Sequence, residues 1–284
     1  MRIFILLAAA FLGFTFLGAI SRPADAIALL RPIFTAIAFF GVFAFTHWAA
    51  KGLIAALVLA SLLTLVPPFL GQQAGGDLRL YSKNLLPSNT RITALAEDIF
   101  DADVDAVLLQ EVSVQNDAIL ELLRPQFRHQ HLCRFSNWSG IAIASKQPLT
   151  APGKCTDTRA MAAAKIDLNG RPVWLVSTHI HWPWPAPSEK AEAEAHALLA
   201  ELDGPIAIAG DFNTLPWTHR LHKIRALSGT KLAGPVRASF HLRALPLPID
   251  FALSPGGGQV EIRGKIGSDH AGLLASLTLS DGAQ

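Results

Sequence analysis

Four side chains able to hold a hard cation are spread through the C-terminal part of the chain: Asn84, Glu111, Asp250 and Asp269. Oxygen donors of this kind suit Mg²⁺, Mn²⁺ or Ca²⁺ rather than zinc, which prefers His and Cys. Taken singly each has a plain alternative: Asn84 as a turn residue, Glu111 as a surface acid, Asp269 as a loop cap. Glu111 is the least ordinary of them, because Gln110-Glu111 closes a continuous apolar run. A second group is Gly210-Asp211-Phe212-Asn213, which follows the apolar Ile206-Ala207-Ile208-Ala209. Glycine permits a tight turn. Asp211 and Asn213 then leave the strand end in one direction, the first an acceptor and the second able to donate. Such a pair can orient a water and hold a phosphoryl oxygen, although an ordinary Asx turn reads the same way locally. A third group is Ser268-Asp269-His270, in which a histidine beside carboxylates suits general acid–base work. His129, His131, His196, His219, His222 and His241 read as structural or surface residues.

The elements that must position these groups follow from periodicity. Strands are predicted at 78–83, 104–109, 138–145, 162–168, 173–177, 205–209, 249–253 and 272–279. Helices are predicted at 90–100, where Ile92, Leu95, Ala96 and Ile99 share one face, at 116–123, and from a Ser188 cap to 202. Asn84, Glu111, His179 and Asp211 each fall at or just past the C-terminal end of a predicted strand, where α/β sheets build sites. Asp250 and Asp269-His270 border two further strands, so six segments can converge on one cleft. Mixed strands and helices over 78–284 predict an α/β (α+β) domain.

The chain has 284 residues, 51% of them hydrophobic and only 16% charged. That excludes intrinsic disorder and a fibrous repeat, and two cysteines exclude a disulfide scaffold or a Cys-rich zinc module. The apolar excess is concentrated in 1–71, which holds Arg2, Arg22, Arg31, Lys51 and Asp25 as its only charges. The rest carries 20 basic and 21 acidic residues, so no basic excess announces nucleic acid. Uncharged runs at 3–20, 32–50 and 52–70 each approach the length of a spanning helix. The chain therefore reads as a membrane anchor of about three helices (1–71), a short linker (72–77) and a catalytic domain (78–284). Arg2 and Ala24-Asp25-Ala26 also fit a cleaved signal segment. Either way, an N-terminus inside puts the domain outside. The positive-inside count opposes this, with Arg22, Arg31, Arg79 and Lys83 outside against Arg2 and Lys51 inside. Cys133 and Cys155 flank the strand at 140–145 and, if on adjacent antiparallel strands, could pair in an oxidising compartment.

Read in order, Asn84, Gln110-Glu111, Thr178-His179, Gly210-Asp211-Phe212-Asn213, Ile249-Asp250-Phe251 and Ser268-Asp269-His270 resemble the motifs of the endonuclease/exonuclease/phosphatase superfamily, the fold of DNase I and exonuclease III, over about 78–279. The run from Asp211 to Trp217 and the segment His179-Ile180-His181-Trp182-Pro183-Trp184-Pro185, together with the apolar start, resemble its membrane-anchored bacterial branch. The family's first motif often carries a second Asn two residues from the metal ligand, where this chain has Ser82 and Leu86. The resemblance implies a four-layer sandwich of two packed β-sheets flanked by helices. It implies that Asn84, Glu111 and Asp269 bind Mg²⁺ (or Mn²⁺). It assigns Asp211 and Asn213 to the attacking water, Asp250 to holding His270, and His179 to a phosphate oxygen. Trp182 and Trp217 are candidate substrate contacts that can stack on a base or rest on a lipid interface; packing beneath the site is the plain alternative. The function implied is divalent-metal-dependent phosphodiester hydrolysis. The first expectation is a nuclease, the alternative a phosphatase or a phospholipase- or sphingomyelinase-type enzyme on lipid headgroups. A non-catalytic binding module is disfavoured because no central residue is missing. The expected partners are the phosphate-ester substrate and the bilayer, with no obligate protein partner evident. The expected location is a bacterial inner or plasma membrane, with the domain periplasmic or extracellular.

Overall fold

The computed structural model describes residues 2–71, 76–185 and 188–280. Residues 72–75, most of the linker expected at 72–77, lie outside the described residues. Helix α1 (Arg2–Phe14) continues through a 3₁₀ turn to Ala19, followed by α2 (Arg22–Ile27), α3 (Arg31–Ala44) and α4 (Trp48–Leu65). Three helical stretches, Arg2–Ala19, Arg22–Ala44 and Trp48–Phe69, are long and apolar enough to cross a membrane, with mean hydropathies of 2.0, 2.0 and 2.2. Their inner faces meet through Ala9, Leu12, Ala38, Ile54 and Val58. Gly41 lets α3 approach α1: a Cβ there would stand 2.3 Å from Ile5 Cγ2. Phe4, Phe39, Phe40, Phe43 and Leu53 point outward and are exposed. The turn between the second and third spans lies earlier than the sequence suggests. Phe45 becomes extended and α4 starts at Trp48, so Lys51 sits in its first turn rather than at the junction. A lysine near a helix end can carry its charge back to an interface along its own stem.

The next segment holds β1 (Leu78–Asn84), α5 (Ile92–Asp101), β2 (Ala106–Gln110), α6 (Ala118–Leu123), β3 (His129–Ser136) and β4 (Ser139–Ser145). It is followed by β5 (Lys154–Cys155), β6 (Met161–Leu168), β7 (Arg171–His179), α7 (Glu189–Glu201), β8 (Ile206–Asp211), α8 (His219–Ser228) and β9 (Lys231–Leu232). The chain closes with β10 (Phe240–Leu242), β11 (Leu245–Leu247), β12 (Asp250–Ser254), β13 (Gly258–Arg263) and β14 (Gly272–Leu277). Two six-stranded sheets form, ordered β13-β14-β1-β2-β4-β3 and β5-β6-β7-β8-β12-β9, beside a β10-β11 hairpin. Each sheet centres on one parallel pair, β1 with β2 and β7 with β8. A parallel pair needs a long crossover, supplied by α5 in the first sheet and α7 in the second.

Alternation at every second residue sets the layers. Along β2, Ala106 and Leu108 enter the core between the sheets, while Val107 and Leu109 pack with Leu95 and Ile99 of α5 and Ile119 of α6. Along β8, Ala207 and Ala209 face the other sheet, while Ile206 and Ile208 meet Ala195 and Leu199 of α7 and Leu221 of α8. The result is helices, sheet, sheet, helices: the four-layer sandwich that the family resemblance implies.

Some local expectations change. Strands β3 and β13 and helix α8 carry no period strong enough to predict. Ser188 precedes α7 but does not cap it; its hydroxyl donates to Glu192 Oε1 at 2.9 Å and accepts from Arg220 Nη2 at 3.1 Å. Cys133 and Cys155 form a disulfide, with Cα atoms 5.7 Å apart. They do not sit on adjacent strands of one sheet. Cys133 is on β3 and Cys155 on β5, so the bond ties an edge of one sheet to an edge of the other.

The N-terminal helices are docked onto the domain by polar groups. The Asp25 carboxylate accepts from the backbone N–H groups of His219 (2.7 Å) and Arg220 (3.1 Å), capping α8. Arg31, 3% exposed, donates to Thr15 Oγ1, the Thr15 carbonyl, Thr64 Oγ1 and the Trp217 carbonyl. One guanidinium thus joins all three apolar helical stretches to the loop after β8.

Candidate active site

Parallel pairing brings the ends of β1 and β2 to one edge, with Asn84 beside Gln110 in register. It does the same for β7 and β8, with His179 beside Asp211. Strand β12 runs antiparallel to β8, so its first residue, Asp250, also faces Asp211. The two sheets therefore present their functional ends together. Gly210 makes this possible: its φ is +148° and a Cβ would stand 2.1 Å from the Thr178 carbonyl oxygen. Glu111 (φ +57°) and Asn213 (φ +46°) hold left-handed conformations that non-glycine residues seldom adopt. Such strain concentrates at functional sites.

Asp211 is the hub. It is buried. Its Oδ1 accepts from the Asn213 N–H at 2.9 Å; its Oδ2 accepts from Asn213 Nδ2 at 3.0 Å and from Asn84 Nδ2 at 3.1 Å, across the gap between the sheets. Two imidazoles flank it, with His179 Nε2 at 3.7 Å and His270 Nε2 at 3.8 Å from Oδ2. Burial, aided by the Asp250 charge, pushes its carboxyl up, while His270, Asn213 and Asn84 restrain the rise.

The histidines differ in charge. His270 is buried, which by itself would disfavour its proton. The Asp250 carboxylate, 2.8 Å from its Nδ1, together with Asp211 and Asp269, outweighs this and raises its pKa to about 9. Phe240 packs on the same ring, with centroids 4.8 Å apart. His179 is held neutral by burial, with the charges of Arg159, His270 and His181 adding to the effect. Its Nε2 lies 3.4 Å from Glu111 Oε1, a contact between a neutral ring and an acceptor rather than an ion pair.

A hard divalent cation fits the donor set of Glu111, Asn84 and Asp269. Glu111 is driven up first by burial and again by the Asp269 charge, a combination that a cation between them would reverse. Asp269 is exposed at the rim, held by Ser268 Oγ at 3.4 Å. Asp211, Asp250 and His270 form a second, tighter group of potential ligand atoms. Their atoms are already engaged: Asp250 with His270, Asp211 with Asn84 and Asn213. Asn84 is engaged too, its Oδ1 accepting from the Leu86 N–H at 3.1 Å, so both groups are candidates for holding a metal.

Seven of the sequence-predicted residues (Asn84, Glu111, His179, Asp211, Asn213, Asp250 and His270) converge here, with Asp269 at the edge. Trp182 and Trp217 instead join an apolar cluster with Leu29, Leu215, Phe240, Leu247 and Ile249. Trp217 turns toward the N-terminal helices, where its Nε1 donates to the Ala28 carbonyl at 2.7 Å. Two residues near the site escaped the sequence reading. Arg159 lies over the Trp138 ring at 4.8 Å, beside His181, and its charge reaches Glu111 and Asp211. Lys83, 1% exposed, donates to the His270 and Lys265 carbonyls. A signal for Arg159 existed: it stands two residues before β6, whose Met161 pairs with Thr178 at the end of β7.

Two face-to-face sheets with acid, amide and imidazole groups at their joined edge define a phosphoester-hydrolase architecture. The model of the Endonuclease/Exonuclease/phosphatase family matches residues 73–270, and the chain belongs to that family, whose members are phosphoester hydrolases. No curated protein matches the sequence. Among solved structures, the chain is similar to an endonuclease/exonuclease/phosphatase from Bacteroides vulgatus (18% identity, TM-score 0.56, covering 72% of this chain and 99% of that one). It is similar to beta toxin from Staphylococcus aureus with bound magnesium ions (15% identity, TM-score 0.55, 70% and 99%). It also resembles sphingomyelinase C from Streptomyces griseocarneus (15% identity, TM-score 0.54, 71% and 99%). At these identities the likeness is one of fold.

Proposed function

We propose that this chain is a membrane-tethered, divalent-metal-dependent hydrolase of phosphodiester bonds. The observation that carries the reading is the buried Asp211 carboxylate, fixed by Asn84 and Asn213 and flanked by two imidazoles of opposite charge preference. Glu111, Asn84 and Asp269 would hold Mg²⁺ or Mn²⁺, which when bound supplies neutralisation of phosphoryl charge. Asp211 orients the attacking water and accepts its proton, which its raised pKa favours. Asn213 holds that water or a phosphoryl oxygen. The water oxygen bonds to phosphorus, the ester P–O bond breaks, and the leaving oxygen takes up a proton. His179, neutral, donates Nε2–H to a phosphoryl oxygen as charge builds. Asp250 orients His270 and keeps it charged beside the same centre.

On substrate class, the family resemblance puts nucleic acid first, although the charge balance does not. One structural observation favours the second class, lipid headgroups. Phe240 touches the His270 ring and, like Leu29 of the N-terminal helices, packs on the Leu215–Leu247–Ile249 cluster, so one small apolar cluster links the proposed catalytic histidine to those helices. A tether that holds the site near the bilayer raises the effective concentration of substrates there. The test uses the purified full-length chain and His270→Ala, each with Mg²⁺, Mn²⁺ or EDTA, on plasmid DNA, RNA and phospholipid vesicles. Metal-dependent release of headgroups, lost in the variant, supports the lipid reading. Metal-dependent cutting of nucleic acid alone returns the protein to the nuclease class. Inactivity of the folded, metal-loaded wild type on every substrate removes the hydrolase reading.

A further inference from the structure

Among the described residues, two groups of three side chains bring potential metal-ligand atoms close together. One, Asp211, Asp250 and His270, belongs to the candidate active site. The other, His131, Cys133 and Cys155, lies where the edges of the two sheets meet and plays no part in the chemistry above. His131 and Cys133 stand two residues apart on β3, so alternation puts both side chains on one face of that edge strand. Cys155 meets them from β5, the edge strand of the other sheet. His131 Nε2 lies 3.2 Å from Cys133 Sγ and 3.5 Å from Cys155 Sγ. The Lys154 carbonyl oxygen closes the group, 3.3 Å from the same nitrogen and 3.6 Å from Cys133 Sγ.

The ring is placed with more care than packing requires. Nε2 has at most one proton to give, yet two sulfurs and a carbonyl crowd it, and sulfur is a weak acceptor. Gly153 leaves the space that the ring fills, since a Cβ there would run into it. Cys133 is buried but Cys155 is exposed, so a reductant and an ion reach the group from solvent. Two thiolates and an imidazole are ligands that zinc takes in preference to Mg²⁺ or Ca²⁺. At bond lengths of ~2.3 Å to sulfur and ~2.0 Å to nitrogen, tetrahedral ligand atoms stand about 3.5–3.8 Å apart. Both nitrogen–sulfur distances are already close to that, so only the two sulfurs must part.

We infer that, once the disulfide is reduced, His131, Cys133 and Cys155 form a zinc site separate from the catalytic centre. A dithiol supplies the two electrons and two protons: its own sulfurs become a disulfide, and Cys133 and Cys155 become thiols. Zn²⁺ then binds both sulfurs and Nε2 and releases the two thiol protons, with a fourth position left for water or the Lys154 carbonyl. Disulfide and zinc are thus two ways of tying β3 to β5. The first suits an oxidising compartment, the second one that keeps thiols reduced. Two cysteines are too few for a Cys-rich module, and the histidine supplies the third ligand.

The experiment uses the full-length chain in detergent, either oxidised or reduced with a phosphine under nitrogen and then freed of reagent and metal. The chain has only these two cysteines, so a thiolate-to-metal charge-transfer band on adding Co²⁺ reports on this site alone. The reduced wild type is expected to show that band, to lose it when Zn²⁺ is added, and to take up a further equivalent of Zn²⁺ relative to the oxidised form. The oxidised baseline accounts for any zinc held at the catalytic centre. Zinc should also raise the melting midpoint of the reduced protein, as a ligand of the folded state does. His131→Ala is expected to weaken zinc binding about tenfold or more and to cancel that rise. Cys155→Ser, at an exposed position, should remove the band, whereas His270→Ala should leave it unchanged. Ring-proton NMR of the wild type tests the histidine without a variant: zinc must shift the His131 resonances in the reduced form and not in the oxidised one. Reduced, folded protein with no band and no further zinc would overturn the inference. So would undiminished zinc affinity in His131→Ala, or a reduced chain that unfolds and that zinc does not restore.

Discussion

Replacing Lys83 by Met tests whether a buried ammonium pins the loop that carries Asp269 and His270. Lys83 donates to the carbonyls of His270 at 2.5 Å, Lys265 at 2.6 Å and Gly264 at 3.4 Å. Burial lowers its pKa to about 8 against the pull of Asp250, Asp269 and Asp98, so at neutral pH it is still mostly charged. The two short bonds come from a charged donor and are worth ~1.5–3 kcal/mol each. Met nearly keeps the volume and removes the cost of burying the charge, which offsets about half of that sum. Two carbonyls are then left without their donor. The net loss is about 3 kcal/mol, or ~6–12 °C in a domain of this size. Differential scanning calorimetry of the full-length variant reads the shift. Activity measured well below the new midpoint should also fall about tenfold, because the loop that bears His270 loosens by a fraction of an ångström. A midpoint within ~1 °C of wild type, with activity intact, would refute the reasoning.

Two further outcomes follow from the same structure. In metal-free protein the His270 imidazole should titrate near pH 9, and Asp250→Asn should lower that value, as read by NMR of the ring protons. The folded pKa lies above the ordinary 6.5, so the stability this pair contributes is complete below about pH 6.5 and is lost as pH rises through 9. Reducing the Cys133–Cys155 disulfide, whose partners are 22 residues apart, should cost about 3 kcal/mol in denaturant melts. An identical melt for Cys133→Ser would show that the two sheet edges need no tie.

Much of the fold was legible because continuous apolar runs mark β2 and β8 as buried strands, and because the three apolar runs of 1–71 fold as helical stretches long and apolar enough to cross a membrane. The candidate site was legible as an ordered set of strand-end motifs, since each of Asn84, His179 and Asp211 ends a strand that pairs in parallel. What stayed hidden depends on contacts between distant segments. Lys83 sits on a strand face that alternation assigns to the helix layer, and only the fold reveals that it meets carbonyls from residues 264–270. Asp25 and Arg31 look like the polar break between two apolar runs. Their tasks, capping α8 and tying Thr15 to Trp217, require knowing where residues 217–220 fold. Cys155 looked local to Cys133, but the chain between them crosses from one sheet to the other.

The most direct test of the account compares wild type with Asp211→Asn on a simple phosphodiester such as bis(p-nitrophenyl) phosphate, with Mg²⁺ and with EDTA. Asn keeps the size and the hydrogen bonds of one oxygen but cannot take a proton from water. The account predicts activity in the wild type that needs the metal, and a loss of about 10²–10⁴-fold in the variant with its melting temperature retained. Hydrolysis that survives EDTA, or an Asp211→Asn enzyme as fast as wild type, would contradict it.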